Sequence, residues 1–197
     1  MSGTSHPSVL YENGHEPAGL ADARNVLVLD DPRIPTVDHF GPELVTDGPL
    51  LLIAFTAADV QLLEGQEHRE LYVVDATPQG NVVDEATDGI TVESVSSPAN
   101  LTEIGVALDK LLARAGDTSG RLDCCLPSLT ALLQYVDRQR AYRFCNAMTN
   151  RLASADAFAH YHLSAEAHDD MTVDTFASLM DAVVHVDADG SSVVRSR

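Results

Sequence analysis

The sequence predicts a single α/β domain: a three-layer α/β/α arrangement around a mostly parallel central sheet. Three observations carry that expectation. Short apolar runs alternate along the chain with segments whose apolar residues recur every three or four positions, the pattern of strands separated by helices. Most of those runs are continuously apolar rather than alternating, as strands covered on both faces are. The chain has 197 residues, enough for one full-sized domain and too few for two of ordinary size.

Taken in order, residues 1–24 are rich in Gly, Pro, Ser and His, and they read as a flexible N-terminal arm preceding a domain over 25–197. Strands are expected at 26–29, 50–55, 71–74, 90–95, 122–126, 157–161 and 183–186, with a final edge strand around Val193 and Val194. A short helix is expected over 57–63. A longer one follows over 100–115, where Leu101, Ile104, Leu108, Leu111 and Leu112 form an apolar stripe. Asn100 is placed to cap its start, with Glu103 three residues on in capping-box spacing, and Gly116 to end it. Further helices are expected over 128–135, 137–152 and 171–180, and no internal repeat is visible.

Charge excludes some functions. The formal net charge is −18, built from 20 aspartates and 10 glutamates against 11 arginines and one lysine, Lys110. Carboxylates spread along the whole chain solvate a surface and do not form a docking tail. Nonspecific nucleic-acid binding needs a clustered basic face. The richest basic stretch, Arg138, Arg140, Arg143 and Arg151, has carboxylates around it to pair with. The Asp-rich, Lys-poor bias is similar to that of proteins from salt-accumulating archaea, and it predicts a fold that tightens as salt screens the self-repulsion.

Three cysteines, Cys124, Cys125 and Cys145, lack C-x-x-C spacing. Neighbouring Cys124 and Cys125 on a strand point to opposite faces, so all three are expected as buried small hydrophobes. With no basic-flanked apolar leader and no apolar run near the roughly 18 residues of a membrane span, a cytoplasmic protein without membrane contact is expected.

The residues of the predicted core carry a family resemblance. Leu122-Asp-Cys-Cys-Leu-Pro-Ser-Leu-Thr-Ala-Leu-Leu133 resembles the Walker B strand and following helix of RecA and KaiC-like ATPases. Phe158-Ala-His-Tyr-His162 resembles the next strand of that core, and Leu179-Met-Asp-Ala-Val-Val-His-Val186 a strand near its end. Residues 25–30 fall where the strand before the P-loop would be, and Asp47-Gly-Pro-Leu-Leu-Leu-Ile-Ala-Phe55 at the second core strand. The resemblance spans about residues 25–188 and is to haloarchaeal RecA/KaiC-like proteins of the P-loop NTPase fold with degenerate Walker A and Walker B motifs.

Departures from the motifs decide what the resemblance implies. A P-loop, G-x-x-x-x-G-K-[ST], cradles phosphates with glycine-freed amides, neutralises them with lysine and holds magnesium with the hydroxyl. The corresponding loop has Asp30, Asp31, Pro32, Arg33, Pro35 and Thr36, without glycine or lysine, and its prolines remove two amide donors. At the Walker B position stand Pro127 and Ser128, where the magnesium-binding aspartate belongs; Asp123 lies at the start of the strand instead. No bound cofactor and no ATP hydrolysis are expected. The resemblance implies a pseudo-ATPase acting through a protein partner or its own copies, in signal transduction or transcriptional regulation.

One further cluster bears chemistry. His160 and His162 share a strand face, and His168 arrives from the next loop beside Glu166, Asp169 and Asp170. The expectation is that His160, His162 and His168 could hold a divalent metal at the carboxyl end of a parallel strand, which would open the alternative of a small metal-dependent enzyme. Another alternative is a nucleotide or nucleic-acid sensor without turnover, using the arginine-bearing helix. Neither a G-x-S-x-G elbow nor a G-x-G-x-x-G turn is present.

Overall fold

The computed structural model describes residues 20, 22–30, 48–64, 66, 68–80, 82–83, 89–116, 118–186 and 192–196. Its strands are β1 (Asn25–Asp30), β2 (Leu50–Ala54), β3 (Leu71–Asp75), β4 (Ile90–Ser94), β5 (Asp123–Leu126), β6 (Phe158–Ser164), β7 (Ala182–Val186) and β8 (Ser192–Ser196). The helices are α1 (Ala57–Val60), continued by a 3-10 turn over Gln61–Leu63, α2 (Leu101–Ala115), α3 (Leu129–Leu132), α4 (Arg138–Ser154) and α5 (Asp170–Ala177).

The sheet order is β4-β3-β2-β5-β6-β1-β7-β8. All neighbours run parallel except β8, which lies antiparallel on β7. The strand expected to resemble Walker B, β5, is thus separated from β1 by β6. The carboxyl ends of β5, β6 and β1 stand side by side, where open α/β sheets place ligands.

Alternation along each strand divides the core between two faces. On one face, Leu27, Leu51, Ile53, Val74, Cys124, Leu126 and Tyr161 meet Ile104, Leu108 and Leu111 of α2, Cys145 and Met148 of α4, and Phe176 of α5. On the other, Leu50, Leu52, Val73 and Cys125 pack against Leu62 and Leu63 of the 3-10 turn. Helical cover on both faces makes the three-layer α/β/α plan expected from the apolar runs.

Several boundaries differ from expectation. Leu20 and Ala23 are buried with Val26, Val28 and Val184, so packing begins inside the segment expected to be an arm; residues 1–19 lie outside the described part. Asn100 caps α2, accepting from the Glu103 amide. The reciprocal capping-box bond is displaced: the Asn100 amide donates to Ser97 O, and the Glu103 carboxylate accepts from the Ser96 amide at 3.0 Å instead. The segment 128–135 holds only the short α3, followed by tight turns through Val136. β6 runs on to Ser164, three residues past its expected end, because β1 pairs with it up to Asp30↔Ser164.

Candidate functional site

The longer β6 relocates the histidines. His160 and His162 lie within the strand rather than at its mouth, and both are fully buried, at 0% and 1% exposure. They face away from the α2, α4 and α5 layer, since their neighbours Ala159, Tyr161 and Leu163 point into it. Strand register then selects their company. β5 pairs Cys125 with His160, and β1 pairs Val28 with His162, which sets Asp30 two residues further along the same edge.

The side chains form a hydrogen-bonded chain. His160 Nδ1 lies 2.9 Å from His162 Nε2, with the rings edge-on at 5.2 Å between centroids. His162 Nδ1 lies 3.1 and 3.2 Å from the two carboxylate oxygens of Asp30. A carboxylate only accepts, so Nδ1 of His162 donates to Asp30 and its Nε2 faces His160. One ligand atom from each of Cys125, His160 and His162 lies within 4.8 Å of the other two.

Burial sets the electrostatics. It holds the His160 imidazole well below the usual histidine range, with the adjacent His162 adding to the effect and Asp30 opposing it. Burial likewise pushes the Cys125 thiol well up, helped by the negative charges of Asp59 and Asp30. Asp59 of α1 belongs to this neighbourhood. Burial raises its carboxyl, while the amides of Phe55 and Thr56, donating to it at 2.8 and 2.9 Å, hold it down. A thiol and two imidazoles with a carboxylate behind one of them can exchange a proton along the chain or accept a cation.

His168 does not join the cluster expected for it. Its Nε2 lies 3.0 Å from Thr130 Oγ1 on α3, which packs on the opposite face of the sheet, and Thr130 Oγ1 also accepts from the Ser164 amide. Asp169 is committed to capping α5, accepting from Thr172 N at 2.8 Å. Cys125 takes the place expected of His168. The H-x-H spacing makes the histidine pair legible in the sequence, whereas Cys125 enters through the β5–β6 register, which no local pattern encodes.

The other expected site residues resolve as follows. Pro127 is buried and Ser128 caps α3, accepting from Ala131 N at 2.9 Å. Asp31, Pro32, Arg33, Pro35 and Thr36 lie outside the described residues. Asp123 sits at the amino end of β5 in a buried ion pair with Arg69, at 2.5 Å. Lys110 bonds Glu93 of β4 at 2.8 Å. On α4, Arg138 reaches Thr172 and Asp169, Arg140 donates to Ala99 O and Arg151 pairs with Asp109, so these three arginines of the basic stretch are engaged within the domain. A concavity of about 370 Å³, lined by residues including Leu112, Gly120, Arg121 and Asp156, opens at the amino end of β5, remote from the ligand edge of the sheet. Among the described residues, no helix is long and apolar enough to cross a membrane.

Three solved structures are similar to the chain to different degrees. The Pyrococcus horikoshii OT3 protein PH0250 superposes with a TM-score of 0.56 at 10% identity, over 88% of this chain and 86% of that one. The flagellar accessory protein FlaH from Methanocaldococcus jannaschii gives a TM-score of 0.41 at 8% identity, over 82% and 69%. The cytoplasmic domain of EssC gives 0.38 at 13%, over 85% and 31%. The first likeness is one of fold alone. No curated protein matches the chain. Residues 23–186 match the model of a family of unknown function, DUF7504, and the chain belongs to that family.

Proposed function

We propose that this chain is a noncatalytic RecA/KaiC-like domain that acts through protein–protein contacts, with a partner or with its own copies, in signal transduction or transcriptional regulation. One observation carries the reading. At the carboxyl end of β1, where a phosphate-binding turn would begin, the backbone ends in Asp30, whose carboxylate is tied to buried His162. A negative group fixed there opposes the approach of a triphosphate. The sequence supports the same direction, since the following loop has no glycine or lysine and the magnesium position of β5 is Pro127. The core pattern is retained beside a nucleotide edge whose chemistry is gone, which favours a role for surfaces over turnover.

The test has two arms in molar salt. Purified chain with ATP and magnesium is expected to release no phosphate above a buffer control. Size-exclusion chromatography with light scattering, followed by affinity capture from lysate of the source cells, is expected to show self-association or one stoichiometric partner. Phosphate release abolished by a substitution within residues 30–37 would overturn the first half of the proposal. A strict monomer with no captured partner would overturn the second.

A further inference from the structure

We propose that Cys125, His160 and His162 form a binding site for one borderline-soft divalent cation, Zn²⁺ in chemical class, that fastens β5 to β6 from inside the sheet. The inference does not require the interaction reading above, and a bound cation would offset the Asp30 charge on which that reading draws. The proposal rests on convergence: three side chains of metal-ligating type, one on β5 and two on β6, bring one donor atom each within 4.8 Å of the others. Ligands at the zinc distances of about 2.0–2.3 Å stand roughly 3.3–3.8 Å apart around a tetrahedral ion, so side-chain adjustments of about an ångström suffice to set the donors around one ion.

His162 is oriented as a ligand. Its Nδ1 is held by the Asp30 carboxylate, which fixes the tautomer and turns Nε2 toward His160. A carboxylate behind a ligating imidazole is the arrangement that raises ligand basicity and positions the ring in metal sites. Sulfur with imidazole nitrogen selects zinc or its relatives over magnesium and calcium, which take oxygen ligands.

Charge also balances. Binding forms one bond from the ion to sulfur and two to imidazole nitrogens, and releases the Cys125 proton to solvent. The resulting thiolate and Asp30 together carry two negative charges against the two of the cation. Three protein donors leave the fourth tetrahedral position to a water molecule, and burial of all three, each at or below 1% exposure, shields the site from bulk solvent.

The full chain, expressed without an affinity tag and stripped with chelator in molar salt, is titrated with Co²⁺ and followed by absorbance. One equivalent is expected to produce a sulfur-to-cobalt band in the near ultraviolet, with visible bands of tetrahedral intensity, and Zn²⁺ is expected to bleach both. Cys125→Ser is expected to remove the near-ultraviolet band. Asp30→Asn, which leaves all three donors in place, is expected to weaken cobalt binding about 10–100-fold, the usual effect of removing such a supporting carboxylate. Circular dichroism checks folding of each variant. Failure of the unsubstituted chain to develop the band by a few equivalents would overturn the proposal without recourse to any variant. A band that persists in folded Cys125→Ser would overturn the ligand set.

Discussion

Arg69 and Asp123 face each other with both side chains fully buried, 2.5 Å apart, at the amino ends of β3 and β5. Arg69 Nε also donates to Gly48 O at 2.6 Å, so one guanidinium ties the entry of β2 to the starts of its two sheet neighbours. Gly48 is required there, because a Cβ would overlap the Arg121 carbonyl.

Removing one partner strands the other charge in the interior. Arg69→Met is expected to destabilise the domain by about 3–5 kcal/mol, the usual consequence of breaking a buried pair. Combining it with Asp123→Leu should recover most of the loss, since a packed apolar pair often replaces a buried ion pair at little cost. Urea unfolding of the four species in molar salt checks this double-mutant cycle.

Leu108 of α2 is 0% exposed and sits in the main core. Leu108→Ala is expected to cost about 2–5 kcal/mol through lost transfer energy and the cavity left behind. The neighbouring Val106 is 51% exposed, and Val106→Ala should change stability by no more than about 0.5 kcal/mol. Thermal melts of the two variants separate the buried face of the helix from the solvated one.

Asp169 caps α5, and its hydrogen bonds from Thr172, side chain first, hold the carboxyl below its usual value. A depressed folded-state pKa means the unfolded chain binds the proton more readily, so stability rises with pH across the interval between the two values. The cap's contribution is therefore complete above the unfolded value near 3.8 and is lost as pH falls through the lower, folded one. Asp169→Ala should lower the melting temperature at pH 7, and the difference from the unsubstituted chain should shrink toward pH 3.

With a formal net charge of −18, the chain repels itself in dilute buffer. At roughly molar salt the screening length falls to about 3 Å, and most of that repulsion disappears. The melting temperature is expected to rise steadily from 0.05 M to 2 M KCl, approximate values chosen to span that screening range. A flat profile would show that counter-ions are irrelevant to compaction.

The architecture was legible because it rests on local pattern. Continuous apolar runs such as Leu50–Ala54 and the stripe of Ile104, Leu108 and Leu111 announce a buried strand and a helix without knowledge of their neighbours. Helix caps were legible for the same reason, as at Asn100, although Glu103 turns to Ser96 for its return bond. Two of the candidate site's three donors were legible too, since a period of two places His160 and His162 on one face. The rest depends on register. Cys125 lies beside His160 only because β5 enters the sheet next to β6, and Arg69 finds Asp123 across 54 positions of sequence. His168 looked equally eligible by spacing, but the extension of β6 to Ser164 carries the following turn toward Thr130.

Lys110 is the chain's single lysine; it is half-exposed on α2 and leans on Glu93 of the outermost parallel strand. Amine-directed labelling therefore addresses one side chain, apart from the α-amino group. A fluorophore attached there reports directly on the β4 margin of the sheet. Trypsin, for its part, is left almost wholly to the arginines, several of which are engaged in ion pairs, Arg69 in the interior and Arg138 and Arg151 at the surface.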